Sequence, residues 1–271
     1  MSKRTILFIA IFYVVCLMFR IFEILVIRTD QSVIGEAFIH KLLGFAALGV
    51  ALCILRLRWR DIGFVKSKFW RGMLHGGLLG AGVFVVAYGV EILLTKSATL
   101  QFYVTSYDPT GNGVMQDGLP FVGICIIGNV VNVAMEDGVF RGLFMLSGER
   151  KHSWFKAMIF SSVLFGIWHG IMPLRNFLDG VQSGGEAVTN AVMLIAVSFV
   201  FGAELCMLCK IEGGLWAGMT LHLINNASVN LLHVAGADGV DGLQTMRIAI
   251  AQALAFTAIL IAFIAKRKRT E

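Results

Sequence analysis

The sequence predicts an all-α, polytopic membrane protein with about eight transmembrane helices. Three observations carry that expectation. Of 271 residues, 57% are hydrophobic and only 15% charged, the mean hydropathy is +0.79, and the apolar residues gather into eight long stretches. A soluble chain of this length carries far more polar surface. The stretches lie near 5–27, 34–56, 72–95, 119–147, 154–173, 188–209, 214–235 and 245–265. Each approaches or exceeds the roughly 20 residues that a spanning helix needs.

Taken in order, the first stretch follows Lys3-Arg4 but is too long for a signal peptide. It also contains Arg20 and Glu23 and lacks a small-x-small cleavage site, so it reads as a retained helix. The second is the weakest, because Glu36, His40 and Lys41 confine its clean apolar run to Leu42–Leu55; a seven-helix count stays open there. The segment 57–71 is basic and amphipathic, with Trp59, Phe64, Phe69 and Trp70 among its charges, and suits the membrane interface. The third stretch carries Gly72, Gly76 and Gly80 at helical spacing. A loop over 96–118 follows, with Asp108-Pro109-Thr110-Gly111-Asn112-Gly113 as turn material. The fourth stretch holds Glu136, Asp137 and Arg141, and the fifth holds His169. After a loop over 174–187 with Ser183-Gly184-Gly185, the sixth stretch ends at Cys206 and Cys209. The seventh carries His222 and Asn226, and the eighth runs into the basic tail Lys266–Arg269.

Charge placement sets the expected topology. With a cytoplasmic N-terminus, 16 of the 23 basic residues fall on the inside and four (Arg28, Lys96, Arg175, Arg247) on the outside, the bias of the positive-inside rule. Both termini are then cytoplasmic, which requires an even number of spans, and loops 96–118 and 174–187 face out. The net charge of +6 reads as a topology and anionic-lipid signal and excludes a nucleic-acid partner as its cause. No linker, low-complexity run or internal repeat is visible, so residues 1–271 read as a single membrane domain. Cys206-x-x-Cys209 is half of a zinc site at most and reads as structural.

Three ionisable residues inside one apolar helix need a reason, since a charge at the bilayer centre costs about 2.5–3.5 kcal/mol on the most lenient scale. Asp137 and Arg141 are four apart, share a helix face and can pair. Glu136 is offset by about 100° and is left to act on something else. His169 and His222 lie at comparable depth on two other helices, and Asn226 shares a face with His222. Three helices offering such groups together point to water-activating chemistry within a membrane. His40, His75, His152 and His233 lack this company and are set aside. Gly138/Gly142, Gly166/Gly170 and Gly214/Gly218 place one small-xxx-small pair on each site-bearing helix, which permits close approach.

Glu136-Asp137-x-x-x-Arg141, then Phe165-x-x-x-His169, then His222-x-x-x-Asn226 resembles the pattern of the CPBP family. That family comprises the type II CAAX prenyl proteases and bacterial Abi and bacteriocin-processing or immunity relatives. The resemblance covers about residues 119–235, a CPBP-like catalytic core, and Asp61-Ile62-Gly63-Phe64 upstream is similar too. The chain departs from the pattern at Asp137, where the family usually has a second Glu. The resemblance implies an intramembrane endopeptidase. The absence of His-Glu-x-x-His, of Gly-x-Ser-Gly and of Gly-x-Gly-Asp leaves the Glu/His arrangement as the one that fits among intramembrane peptidases.

Peptide hydrolysis needs a base for water and donors for the developing oxyanion. Glu136 is expected to activate a water held with His169, and His222 with Asn226 to donate to the tetrahedral oxygen, while Asp137 and Arg141 support the site. No metal or other cofactor is the favoured expectation; Zn²⁺ held by Glu136, His169 and His222 is the alternative. The expected partners are the lipid bilayer and a membrane-associated peptide or protein substrate, such as a leader-bearing bacteriocin, a pheromone or a membrane-anchored regulator. The expected location is the cell membrane. Two other classes stay open: a non-hydrolytic scaffold or bacteriocin-immunity protein that keeps the fold, to which Asp137 points, and a transporter or proton relay. The three prolines and the lack of a repeat disfavour the transporter.

Overall fold

The computed structural model describes residues 3–108 and 112–268. Pro109, Thr110 and Gly111, at the centre of the expected turn, and Arg269 of the basic tail lie outside the described residues. The helices are α1 (Lys3–Phe22), α2 (Ile39–Leu55), α3 (Phe69–Leu94), α4 (Leu119–Asp137), α5 (Met145–Glu149), α6 (Trp154–His169), α7 (Ile171–Leu178), α8 (Gly184–Glu212), α9 (Trp216–Leu231) and α10 (Gln244–Lys268). The chain is 77% helical, and every one of the eight apolar stretches contains a helix. Among the described residues, six helical segments are long and apolar enough to cross a membrane: Leu7–Gln31, Lys66–Leu94, Leu119–Glu149, Trp154–Leu178, Gly184–Glu212 and Gln244–Lys268.

Two stretches give shorter helices. α2 has 17 residues, about 25 Å at 1.5 Å per residue, because the polar Glu36–Lys41 segment delays its start. α9 has 16 and gives way to strand β4 (Leu232–Ala235). That strand pairs antiparallel with β1 (Thr99–Phe102), Gln101 opposite His233, while β2 (Val104–Tyr107) pairs with β3 (Gly113–Gln116). The loop 96–118 is therefore two ribbons, one of them tied to the end of α9. A sequence reading that recognised only its turn residues missed both.

Burial is inverted relative to a soluble protein. Leu93 is 87% exposed on α3 while Glu91, two residues earlier, is fully buried. Buried charges are rare unless paired, and here most are. Arg247 of α10 bonds Glu91 of α3 and meets Asp241 at 2.7 Å; Arg175 of α7 meets Asp30 at 2.7 Å. Removing one member of such a pair costs about 3–5 kcal/mol.

Close helix contacts fall where the glycine spacing predicts them. α3 lies along α9 and α6 along α8. A methyl group on Gly76 would land on the Ala217 carbonyl, and one on Gly166 would sit 2.6 Å from the Ile195 carbonyl. Gly138 and Gly142 face Leu48, Phe64 and the Ile62 carbonyl, so neither they nor Gly166, which meets α8, contact another site-bearing helix. Residues 61–64 thus pack under the end of α4, with Trp59, Phe64 and Trp216 in edge contact above them. The Arg58 backbone N–H donates to Asp61 at 2.8 Å and holds that carboxyl below the usual carboxylate range. The five cysteines are free thiols.

Candidate active site

α4 ends on Asp137, and the next seven residues, Gly138–Phe144, form a π-helical turn. An extra residue per turn is uncommon in helices and recurs at functional sites. It directly follows the two acids. Gly138 lets Leu48 and Phe64 close on this turn, and Gly142 lets the Ile62 carbonyl do the same, so the bulge is braced from behind. All seven of its residues are buried.

Glu136 is 1% exposed, Asp137 0%, Arg141 5% and His222 3%. The Trp168 indole N–H donates to Glu136 Oε1 at 2.8 Å, and Arg20 Nη1 lies 3.8 Å from the same oxygen. Glu136 Oε2 has no hydrogen-bond partner among the described residues; its neighbour is His222 Nε2 at 3.7 Å. On the other side of the imidazole, Nδ1 meets Asp137 Oδ2 at 3.3 Å. A carboxylate only accepts, so neutral His222 carries its proton on Nδ1 and turns the Nε2 lone pair towards Glu136.

Asp137 Oδ1 is 3.3 Å from Arg141 Nε, the expected pair, held by charge and proximity without a directed hydrogen bond. The guanidinium lies 3.8 Å over the Phe165 ring, a cation–π contact that strengthens when desolvated. The Phe165 carbonyl in turn accepts from His169 Nδ1 at 2.8 Å. Phe165 therefore serves Arg141 with its ring and His169 with its backbone, which explains Phe-x-x-x-His as a unit. Neutral His169 keeps Nε2 as its free nitrogen.

Glu136, His169, Asn226, Asn225, Arg20 and His40 line one cavity of about 640 Å³, which extends to Thr105 of β2 and His233 of β4. Asn225 Nδ2 donates to Asn226 Oδ1 at 3.2 Å, so the Asn226 amide N–H groups remain available. A cavity with an unpartnered buried carboxylate oxygen, a lone-pair imidazole and amide donors can hold a water beside a polarised carbonyl.

The structure gathers Glu136, Asp137, Arg141 and His222 by direct contact and sets His169 and Asn226 on the same cavity wall. It differs from the sequence reading in two respects. The two acids do not act on separate surfaces, because His222 touches both. His40 and His233, set aside for want of company, line the cavity. Arg20, Trp168 and Asn225 were missed: Arg20 was legible only as a charge within an apolar stretch, and Trp168 and Asn225 only as neighbours of His169 and Asn226. As for zinc, no group of three or more His, Cys, Asp or Glu side chains among the described residues is arranged to hold a metal ion; Glu136 and His222 are close, but His169 does not complete a set with them.

Residues 118–228 match the family model of the Type II CAAX prenyl endopeptidase Rce1-like proteins. Neither the curated proteins nor the solved structures gave a match to the chain. All seven motif residues, from Glu136 to Asn226, fall inside the matched segment, whose helices α4, α6 and α9 supply one side of the cavity described above. Over residues 118–228 this multi-pass membrane protein thus carries a Rce1-like type II CAAX prenyl endopeptidase domain, which supports a CPBP family intramembrane protease.

Proposed function

We propose that the chain is an intramembrane endopeptidase that cleaves a membrane-associated peptide or protein with water activated by Glu136. The observation that carries this reading is the free Glu136 Oε2 facing His222 Nε2 across 3.7 Å. A water there hydrogen-bonds both groups. As its oxygen attacks the scissile carbonyl carbon, Glu136 takes the proton. The carbonyl oxygen, now negative, accepts from the Asn226 amide. When the C–N bond breaks, the proton on Glu136 passes to the leaving amine, which returns the carboxylate. Asp137 keeps His222 in the tautomer the step needs, and Arg141 holds Asp137. His169 presents its free Nε2 to water or to a substrate N–H. This moves the water-holding role from His169 to His222 and keeps Asn226 as oxyanion donor.

Burial favours the chemistry. The charges act in a medium where water competes weakly, and an ion pair held in place needs no reorganisation during reaction. We write the reaction on Glu136 and water. Glu136, His169 and His222 are the residues that would have to hold zinc, which would supply Lewis-acid activation of the water; metal content measured with activity on purified protein decides between the two. Both termini are cytoplasmic in this proposal, with residues 1–271 one membrane domain and the cell membrane its location.

The test is to compare peptide termini in membranes and medium from cells expressing wild type and Glu136→Gln. The expected result is a set of new termini present only with the wild type. A non-hydrolytic scaffold or immunity role, favoured by the shorter Asp137, takes its place if Glu136→Gln preserves both termini and cellular effect.

A further inference from the structure

Resting on the hydrolase reading of Glu136, we propose that Arg20, oriented by a Glu23–His40 pair, is a positioning residue that fixes the Glu136 carboxylate. All three lie outside the family-matched segment, which begins at residue 118. The first two helices would then complete a site whose motif residues come entirely from the second half of the chain.

The support chain starts at the break between α1 and α2. α1 runs into a π-helical turn, Glu23–Ile27, that ends at Arg28 with φ 57°. This turn brings the Glu23 carboxylate to the start of α2, where helix N–H groups lack intrahelical acceptors. Glu23 accepts from the backbone N–H of Ile39 at 2.9 Å and of His40 at 2.5 Å, and also from the Thr29 hydroxyl. Its Oε2 accepts from the His40 ring Nδ1 at 2.5 Å. That fixes the tautomer: neutral His40 carries a proton on Nδ1, and Nε2 must accept. It does so from Arg20 Nη1 at 3.1 Å.

The same Arg20 Nη1 lies 3.8 Å from Glu136 Oε1. The guanidinium sits 5.0 Å over the Trp168 ring, whose N–H donates to that very oxygen. Arg20, Trp168 and Glu136 therefore close a triangle that occupies Oε1 and leaves Oε2 to His222 and the cavity. The charged or titratable groups around Glu136 are Arg20 from α1, His40 from α2, Asp137 beside it on α4, His169 from α6 and His222 from α9. Among them Arg20 is the cation that meets Oε1. Glu23 is fully buried, His40 1% exposed and Arg20 9%, so the Glu23–His40 contact is sheltered from bulk solvent.

The experiment uses the full chain in detergent and, as probe, a synthetic peptide spanning a cleavage site whose terminus depends on Glu136. Arg20→Met is expected to lower kcat by about 10²-fold, the cost of misplacing a reacting group by about 1 Å, with KM little changed. Arg20→Lys restores part of that loss, and added guanidinium restores part of the activity of Arg20→Ala, which a mere folding defect would not allow. Arg20→Met with His40→Asn is no slower than Arg20→Met alone, because His40 acts through Arg20. If Arg20→Met does not fold, His40→Asn and Glu23→Gln carry the test, each with reduced kcat. Wild-type kcat in Arg20→Met, or in His40→Asn when Arg20→Met does not fold, overturns this inference and spares the hydrolase reading, provided Glu136→Gln is inactive. A loss that neither lysine nor guanidinium relieves, accompanied by a lowered melting point, makes Arg20 a structural prop and also overturns it. If no terminus depends on Glu136, the hydrolase reading fails and this inference with it.

Discussion

Replacing Gly76 with alanine tests whether the packing of α3 on α9 sets the geometry of the site. A methyl group on Gly76 would land on the Ala217 carbonyl, with Ala217 C and Thr220 Cβ both 3.0 Å away, whereas ordinary van der Waals contact begins at 3.4 Å. Those are backbone and β-carbon atoms, so no flexible side chain can yield and the helices must part. Overpacking of this kind costs about 1–3 kcal/mol, or roughly 2–12 °C in melting temperature for a chain of this size. α9 carries His222 and Asn226, so its displacement also opens the 3.7 Å gap between His222 and Glu136. A shift of about 1 Å costs on the order of 10²-fold in rate. Gly77 is the internal control: a methyl there meets only Thr220 Cγ2 at 3.9 Å, and alanine in a helix is favoured over glycine by about 1 kcal/mol. The assay is thermal unfolding and peptide cleavage by the purified variants in detergent. Gly76→Ala is expected to lose both stability and rate, and Gly77→Ala to keep both. Equal behaviour of the two variants refutes the packing argument.

Further outcomes follow from the site itself. Asp137→Asn removes the carboxylate charge and, with its amide oxygen drawn to Arg141, turns an N–H donor on His222 Nδ1, which disfavours the tautomer the step needs; it is expected to lower the rate by about 10²–10⁴-fold, whereas Asp137→Glu, which installs the family's usual residue, retains activity; steady-state kinetics on both variants and on Glu136→Asp give the ranking, with Glu136→Asp the slowest. Asn226→Ala is expected to cost about 10²–10³-fold and Asn225→Ala less, since Asn225 only orients its neighbour; the reverse order contradicts the oxyanion assignment. Cysteines placed at positions 97 and 183 in a cysteine-free background are expected to react with an impermeant thiol reagent from the outer face, and inner-face labelling at both positions would sink the proposed topology. Active protein is expected to be free of stoichiometric metal; zinc that leaves together with activity replaces the water-only chemistry but keeps the site.

Much of the site was legible because charges are costly in lipid. Glu136, Asp137 and Arg141 stand out in an apolar run, and the four-residue spacings of Asp137–Arg141, Phe165–His169 and His222–Asn226 put each pair on one helix face. Arg20 and His40 belong to the same cavity, yet their link to Glu136 spans about a hundred residues with no periodic relation for a sequence pattern to show. Trp168 resembles any core aromatic until its N–H is seen on Glu136. The π-helical turn at Gly138–Phe144 leaves no trace in composition, though Gly138 and Gly142 mark where neighbours press on it. The ribbons were hidden because residues 99–102 find their partner at 232–235, far along the chain. The eight apolar stretches were legible as helices; the lengths of α2 and α9 were not, because one is trimmed by polar residues at its start and the other passes into a strand.

Single-turnover cleavage in H₂¹⁸O by purified wild type and Glu136→Gln tests the central claim most directly, since it reads both the water and its base. One ¹⁸O in the newly formed carboxyl terminus with wild type, and no product above background with Glu136→Gln, is the expected result. An unlabelled terminus, or undiminished labelling with Glu136→Gln, contradicts the assignment of Glu136 as the group that activates water.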